Sequence, residues 1–312
     1  PLVMFAIKSQ DNSHLTGSVS RFKLLGYDTY RFVPGLPLLL PFAFDRELDG
    51  FALNLFACKK DKADLLEKQG LLIQKIELLS ELPGIQSQDW DTYSRVLPYG
   101  TKLIGPQLNF SAQLDAWEHY SCALNLFAQS KDPARLGLSR YASLNASYGL
   151  LLMVCEKAPN VCRILSLIRV MIDLGLREAA VHLLNQIMAL FESESSIELS
   201  EPFIAVSDEA ARIDPGEHVG EWLFASVLKQ REESRAFSTY FSGKDALPIF
   251  EAIQNTGFFG MEMEHQINLI RARFSLPAHG SSSLSQLGER GSVRFPLAEE
   301  ESAVNGQRPY VC

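Results

Sequence analysis

The chain has 312 residues, 46% of them apolar, and a formal net charge of −8. That length holds one large domain or two smaller ones around a real core. Its acidic balance, with Lys and Arg spread thinly, excludes the basic face of a general nucleic-acid binder or of a binder of anionic membranes, and its longest apolar runs, such as Gly149–Cys155, are far too short to insert across a bilayer.

The first residues, PLVMFAIK, read as a strand already under way, with no signal peptide before it, so a start that has been removed, or a fragment, is expected. Leu2–Ile7 is a short apolar strand. Ser13–Leu25 carries Val19, Phe22 and Leu25 on one helical face, with Gly26 at the stop. Tyr27–Val33 alternates like a strand, Pro34-Gly35 turns the chain, and Leu36–Phe42 is a further apolar strand. A strand–helix–strand unit followed by a hairpin is how several doubly wound sheets end.

After Asp45 helical patterns take over: Phe51–Cys58, Ala63–Leu82, Ala112–Ala128, Leu136–Cys155, Val161–Asp173, Arg177–Phe191, Val219–Tyr240, Leu247–Gln254 and Met261–Phe274. Gly and Pro mark the joints, and no comparable strand pattern returns. The fold class expected is mainly α: a short α/β piece over residues 1–44, then a helical domain over 45–274. Its core is expected to include Leu53, Phe56, Leu126, Phe127, Leu165, Ile168, Leu183, Ile187, Trp222 and Leu228. Residues 275–312, rich in Ser, Gly, Glu and Arg, predict a disordered tail. Five cysteines at irregular spacing (Cys58, Cys122, Cys155, Cys162 and Cys312) argue against a disulfide framework and for a reducing cytoplasm.

Two segments repeat. ALNLFACKKDKADL (Ala52–Leu65) and ALNLFAQSKDPARL (Ala123–Leu136) share ten of fourteen positions. The dense LNLFA suits a buried helical turn, and Asp132-Pro133 suits a helix start. Two copies do not make a solenoid, so the repeat points to packing rather than chemistry. Val161–Phe191 reads as two amphipathic helices meeting at Asp173-Leu174-Gly175 and resembles a single degenerate tetratricopeptide unit.

Chemistry is sparse. No phosphate-cradling glycine motif and no nucleophile elbow occurs. His119 and Cys122 share a helical face but lack a matching second pair, so a surface His beside a buried Cys is the better reading. Glu262 and His265 have the spacing of a di-iron helix, but once only, which favours a solvated face. Arg95, Tyr99 and Lys102 are of the type that contacts an anion, but scattered loop charges usually do nothing specific. No catalytic residues can be assembled from these, and no metal ligand set.

PLVMFAIK, then FKLLGYDTYRFVPGLPLLLPF, resembles the end of the catalytic domain of bacterial FkbM-type methyltransferases. DGFALNLFACKKDKADLLEKQGLL and EPFIAVSDEAARIDPGEHVGEWLFASVLKQREESRAFSTYFSG resemble segments of an extension that follows it. The resemblance implies that residues 1–44 are the fifth strand, the next helix and the last two strands of a Rossmann-like sheet. It implies S-adenosylmethionine as cofactor, and a hydroxyl on a glycan or metabolite as methyl acceptor. The cofactor-binding Gly-rich loop would lie before Pro1, and Ala6 stands where relatives carry an acidic residue, so the chain is expected to be inactive alone. Methyl transfer needs the electrophilic carbon held in line with its nucleophile, which half a sheet cannot do. The alternative is a stand-alone helical module that binds a protein partner. In a fragment the neighbouring elements of the parent sheet are missing, so strands apolar on both faces, Leu2–Ile7 and Leu36–Phe42, are expected to lie uncovered and promote self-association.

Overall fold

The structure is a computed structural model that describes residues 1–7, 12–42, 49, 51, 54–76, 89–100, 114–193, 197, 199, 201–236 and 241–277. Four strands come first, with one helix among them: β1 (Leu2–Ala6), α1 (Asn12–Leu24), β2 (Tyr27–Val33), β3 (Leu38–Pro41) and β4 (Asn54–Lys59). Helices then follow: α2 (Lys60–Lys68), α3 (Asp89–Arg95), α4 (Leu114–Lys131), α5 (Gly137–Lys157), α6 (Val161–Leu174), α7 (Arg177–Ser193), the single turn α8 (Asp208–Ala211), α9 (Val219–Arg235), α10 (Leu247–Asn255) and α11 (Gly260–Arg273). The fold is mostly helical with one small sheet, and no helix among the described residues is long and apolar enough to cross a membrane.

The sheet order is β1-β4-β2-β3, with every pairing antiparallel. Since β1 and β2 both oppose β4, they run parallel to each other, joined by α1. This corrects the expected helix at Phe51–Cys58. Asn54–Lys59 is the strand that closes the sheet, so the sheet reaches past the expected boundary at residue 44. Its alternation is visible in burial: Leu55 and Ala57 are buried on one face, and Phe56 is half-buried on the other. A short run that is apolar at nearly every position fits a buried strand or a buried helix equally, and the neighbours decide. The second copy, Ala123–Ala128, meets helices instead and stays in α4, buried at every position from Ala123 to Ala128. Thus the shared NLFA takes two secondary structures, strand at Asn54–Ala57 and helix at Asn125–Ala128. Asp132 does not start a helix either: its carboxylate accepts from the Ala134 amide at 2.9 Å in a turn, and α5 begins at Gly137.

Each long helix packs against its successor: α4 on α5, α5 on α6, α6 on α7, α7 on α9, α9 on α10 and α10 on α11. The core runs through all of them and into the sheet, where Val33, Leu36, Leu38 and Leu40 join Phe127, Leu165, Ile168 and Trp222. Leu126, Leu183, Ile187 and Leu228 are buried as expected; Phe56 is only half-buried, and Leu53 lies outside the described residues. Two smaller clusters finish the sheet. Leu15 and Val19 of α1 pack on Leu55, and Ala63 and Leu66 of α2 pack on Tyr30, Leu39 and Cys58. The uncovered sheet expected from the sequence is therefore largely covered: β2 and β3 are part of the main core. The expected helix Ala63–Leu82 ends at Lys68 instead, because Gly70 turns the chain at φ 73° and Leu71–Ile73 pair with Leu39 of β3; residues 77–88 lie outside the described residues, as does 278–312 of the expected tail. Helix α3 was not legible in the sequence pattern.

What joins sheet to helices is the corner between α6 and α7. Asn160 caps α6 by accepting from the Arg163 amide, and Gly175, at φ 85°, ends it in the left-handed conformation that glycine adopts freely. The Pro34-Gly35 turn docks on that corner. The Gly35 amide donates to the Asp173 carbonyl at 2.9 Å, and the Arg31 guanidinium donates to the Leu174 carbonyl at 3.4 Å and the Tyr141 hydroxyl at 3.1 Å. A Cβ on Gly35 would lie 2.4 Å from the Asp173 Cβ and 2.8 Å from its Cα. Gly35→Ala is therefore expected to lower stability by about 2–3 kcal/mol, because neither backbone nor a short buried side chain can move aside. Gly17→Ala, in open space on α1, is expected to be neutral or stabilising by about 0.5–1 kcal/mol. Urea midpoints of the two variants check this.

Candidate functional site

The sequence candidates do not assemble. His119 is exposed on α4, and Cys122 is half-buried one turn on. Among the described residues, the group of three ligand-type side chains that does come together is Glu209, Glu233 and Glu262, which includes neither of them, nor the exposed His265. Arg95 is exposed at the end of α3, and Lys102 lies outside the described residues. Tyr99 is not an anion contact. It is buried, with its ring 5.1 Å from that of Trp222, and burial pushes its hydroxyl up from the usual tyrosine value.

Tyr99 belongs instead to a set of side chains that clasp an extended segment, Pro202–Val206, through the middle of the helices. All of Phe203, Ile204, Ala205 and Val206 are at most 2% exposed. Buried peptide groups outside a helix or sheet must find partners elsewhere. Here side chains supply them. The Tyr120 hydroxyl donates to the Pro202 carbonyl at 2.7 Å, and the Tyr99 hydroxyl to the Phe203 carbonyl at 3.2 Å. The Ile204 amide donates to Ser166 Oγ at 3.0 Å, the Ala205 amide to the Tyr99 hydroxyl at 2.9 Å, and Arg169 Nη1 to the Ala205 carbonyl at 3.3 Å.

Directly after this segment, Ser207 caps α8, and the next two residues face opposite cations. Asp208 pairs with the buried Arg169. Arg169 also pairs with Asp173 at 3.1 Å, and Lys131 reaches Asp173 at 2.8 Å and the Gly35 carbonyl at 3.2 Å. Glu209 meets Lys229 at 2.6 Å, and Lys229 also touches Glu233 and, at 3.2 Å, Glu262. The result is a line of charge, Lys131–Asp173–Arg169–Asp208 and Glu209–Lys229–Glu233/Glu262, linking α4, α6, α8, α9 and α11.

Electrostatics define what this line does chemically. Burial alone would lower the Lys229 ammonium, but the carboxylates of Glu233 and Glu209 hold it above the usual lysine value. Burial likewise opposes the charge on Arg169, and Asp173 and Asp208 overcome it. Neither cation is a nucleophile or a base. Burial pushes the Asp208 carboxyl up, and the Arg169 guanidinium more than reverses this, leaving it low. Glu209 differs: burial, with the nearby Glu262 carboxyl, pushes it up to about 7. The place among the three carboxylates where a cation would sit is filled by Lys229 Nζ. These clusters were missed in the sequence, although a signal existed. Arg169 and Asp173 stand four apart inside the otherwise apolar VCRILSLIRVMIDL, and Lys229 interrupts WLFASVLKQ in the same way.

The second feature that faces outward is the sheet edge. Residues 71–73 pair with the outer edge of β3, through Leu39 and its neighbours. The outer edge of β1 has no strand beside it among the described residues. Leu2 and Met4, on one face of β1, are 41% and 62% exposed.

Comparison with family models, with curated proteins and with solved structures finds no match for this chain.

Removing Arg169 is expected to be severe. Arg169→Met leaves Asp173, 4% exposed, with Lys131 as its remaining cation, and frees the Ala205 carbonyl. A loss of about 3 kcal/mol is expected, since a buried carboxylate keeps only one of its two cations and a buried carbonyl loses its donor. Chemical denaturation at neutral pH reads it.

Proposed function

We propose that this chain is the C-terminal portion of an S-adenosylmethionine-dependent methyltransferase, acting in the intact protein on a hydroxyl of a glycan or metabolite. The sheet would finish a catalytic sheet, and the helices from α3 onward would form an accessory domain. The observation that carries this reading is β1. Its sequence, LVMFA, is apolar on both faces, as strands buried between helix layers are. Yet one face leaves Leu2 and Met4 in water, and among the described residues no strand pairs with its outer backbone edge. Such an edge suits a strand that belongs inside a wider sheet. The parallel β1–α1–β2 unit, closed by the returning β4, suits the end of a doubly wound sheet of the kind the sequence resemblance implies.

The described residues do not by themselves fit the cofactor. At the sheet's end the Pro34-Gly35 turn is closed off by Asp173. The cofactor's Gly-rich cradle would come from residues that precede Pro1, and no step is assigned to side chains of this chain. Consistent with that division of labour, calorimetric titration of S-adenosylmethionine into residues 1–312 is expected to show no saturable binding. The same titration into the protein extended by its upstream coding sequence is expected to show micromolar binding, with transfer of labelled methyl to a hydroxyl acceptor. Tight binding by the short chain, or an extended protein that neither binds nor transfers, would sink the reading.

A further inference from the structure

The Lys229 cluster carries more negative charge than it can neutralise. Lys229 Nζ, on a side chain 3% exposed, is ringed by Glu209, Glu233 and Glu262, whose side chains are 40%, 38% and 43% exposed. Three carboxylates against one ammonium leave an excess of like charge within 4.8 Å. One carboxylate oxygen of Glu209 and one of Glu262 lie within 4.8 Å of each other. Like charges this close disfavour joint ionisation, so the pair favours a proton on one of them.

Charged neighbours on the same helices have partners of their own. On α8, Asp208 is turned to Arg169; on α9, Glu232 pairs with Arg231 at 3.1 Å. On α10, Glu251 is held by Arg271 of α11 at 2.5 Å. On α11, the Gln266 amide donates to Glu262 at 3.3 Å, and its carbonyl oxygen is buried without a partner. A strained backbone ties the cluster to α11. Phe259, the residue before that helix, has φ 61°, unfavourable for a bulky side chain, and its ring lies 5.4 Å from Lys229 Nζ.

We propose that this cluster is a proton-operated latch. One proton shared by Glu209 and Glu262 fastens α11 to α8 and α9 around Lys229, and loss of that proton loosens α11. The repelled carboxylates have a route to water through their exposed rims, so the latch opens locally and the rest of the core stays folded. The direction follows from linkage. The Glu209 carboxyl is raised from 4.5 to about 7 in the folded chain. Its stabilising contribution is therefore complete below the unfolded value and is lost as pH rises through about 7. The inference stands apart from the methyltransferase reading, since it rests on α8, α9 and α11 alone.

Hydrogen exchange followed by mass spectrometry, corrected for the intrinsic pH dependence of exchange, tests it on the full chain. Protection of the α11 amides is expected to fall about three- to tenfold between about pH 6 and about pH 8, the dependence that fractional to full release of one proton gives. Amides of α6 should not change over that range. Glu209→Gln, neutral at every pH, should keep α11 at its low-pH protection throughout. Flat protection of α11 in the unmodified chain overturns the proposal, and so does a Glu209→Gln chain that keeps the pH dependence. A Glu209→Gln chain that fails to fold overturns it as well, because a neutral group at 209 is what the closed latch holds.

Discussion

The corner between α6 and α7, residues 173–178, is the constraint on which the rest of the molecule depends. Five sheet-side contacts converge on it. Gly35 donates to the Asp173 carbonyl, Arg31 to the Leu174 carbonyl, and Pro34 lies against Gly175. Arg177 donates to the Phe51 carbonyl at 3.4 Å, and Asp49 accepts from the Glu178 amide at 2.9 Å, at the start of α7. Arg177 also donates to the carbonyls of Ser234 and Ala236, each at 2.6 Å, and so covers the end of α9. Helix ends expose unpaired amides and carbonyls. Here the unpaired groups of one helix joint are used as the socket for a sheet. An apolar interface would hold the same area less specifically, because register between two layers is fixed by directional bonds rather than by burial.

This explains which parts of the fold were legible in the sequence. Elements with a clear period and clear punctuation were placed to within a residue or two: α1 before Gly26, β2 before Pro34-Gly35, α6 before Gly175, and α10 and α11. The failures sit where the local pattern carries two answers. Ala52–Ala57 and Ala123–Ala128 are the same hexapeptide, and only the partners differ. β4 is flanked by β1 and β2, whereas α4 lies between α3 and α5. Secondary structure in such a peptide is set by tertiary context, which overrides a weak intrinsic preference. Helix α3 (DWDTYSR) is short, and its burial falls on Trp90 and Ser94, too few positions for a period.

The candidate site was less legible, for a different reason. Charge in an apolar helix is visible in sequence; the partner that neutralises it is not. Arg169 finds Asp208 39 residues away, and Lys229 finds Glu209 and Glu262 on two other helices. The pairing depends on α8, a four-residue helix that no periodicity announces, started by a Ser207 cap. By contrast, the pairs within one helix that were weighed and set aside, His119 with Cys122 and Glu262 with His265, need no tertiary structure to be noticed. Spacing on one helix creates a shared face, but a site needs a second element to meet it.

Because Asp208 and Glu209 are adjacent, α8 couples two charge clusters that otherwise share no residue. Asp208 is held by Arg169, which holds Asp173, whose carbonyl receives the Gly35 turn of the sheet. Glu209 is held by Lys229, which also holds Glu262, at the far end of the array. A single turn of helix has little internal freedom, and Trp222 Nε1 fixes its carbonyl end by donating to the Ala210 carbonyl at 3.3 Å. Movement of Glu209 therefore strains the backbone that carries Asp208. The clasped segment before it resists that strain, since Pro202–Val206 is bonded to Tyr99, Tyr120, Ser166 and Arg169. Charge change at one end of the molecule is thus met by a rigid segment before it reaches the sheet. The geometry favours local release of α11 over any displacement of the sheet.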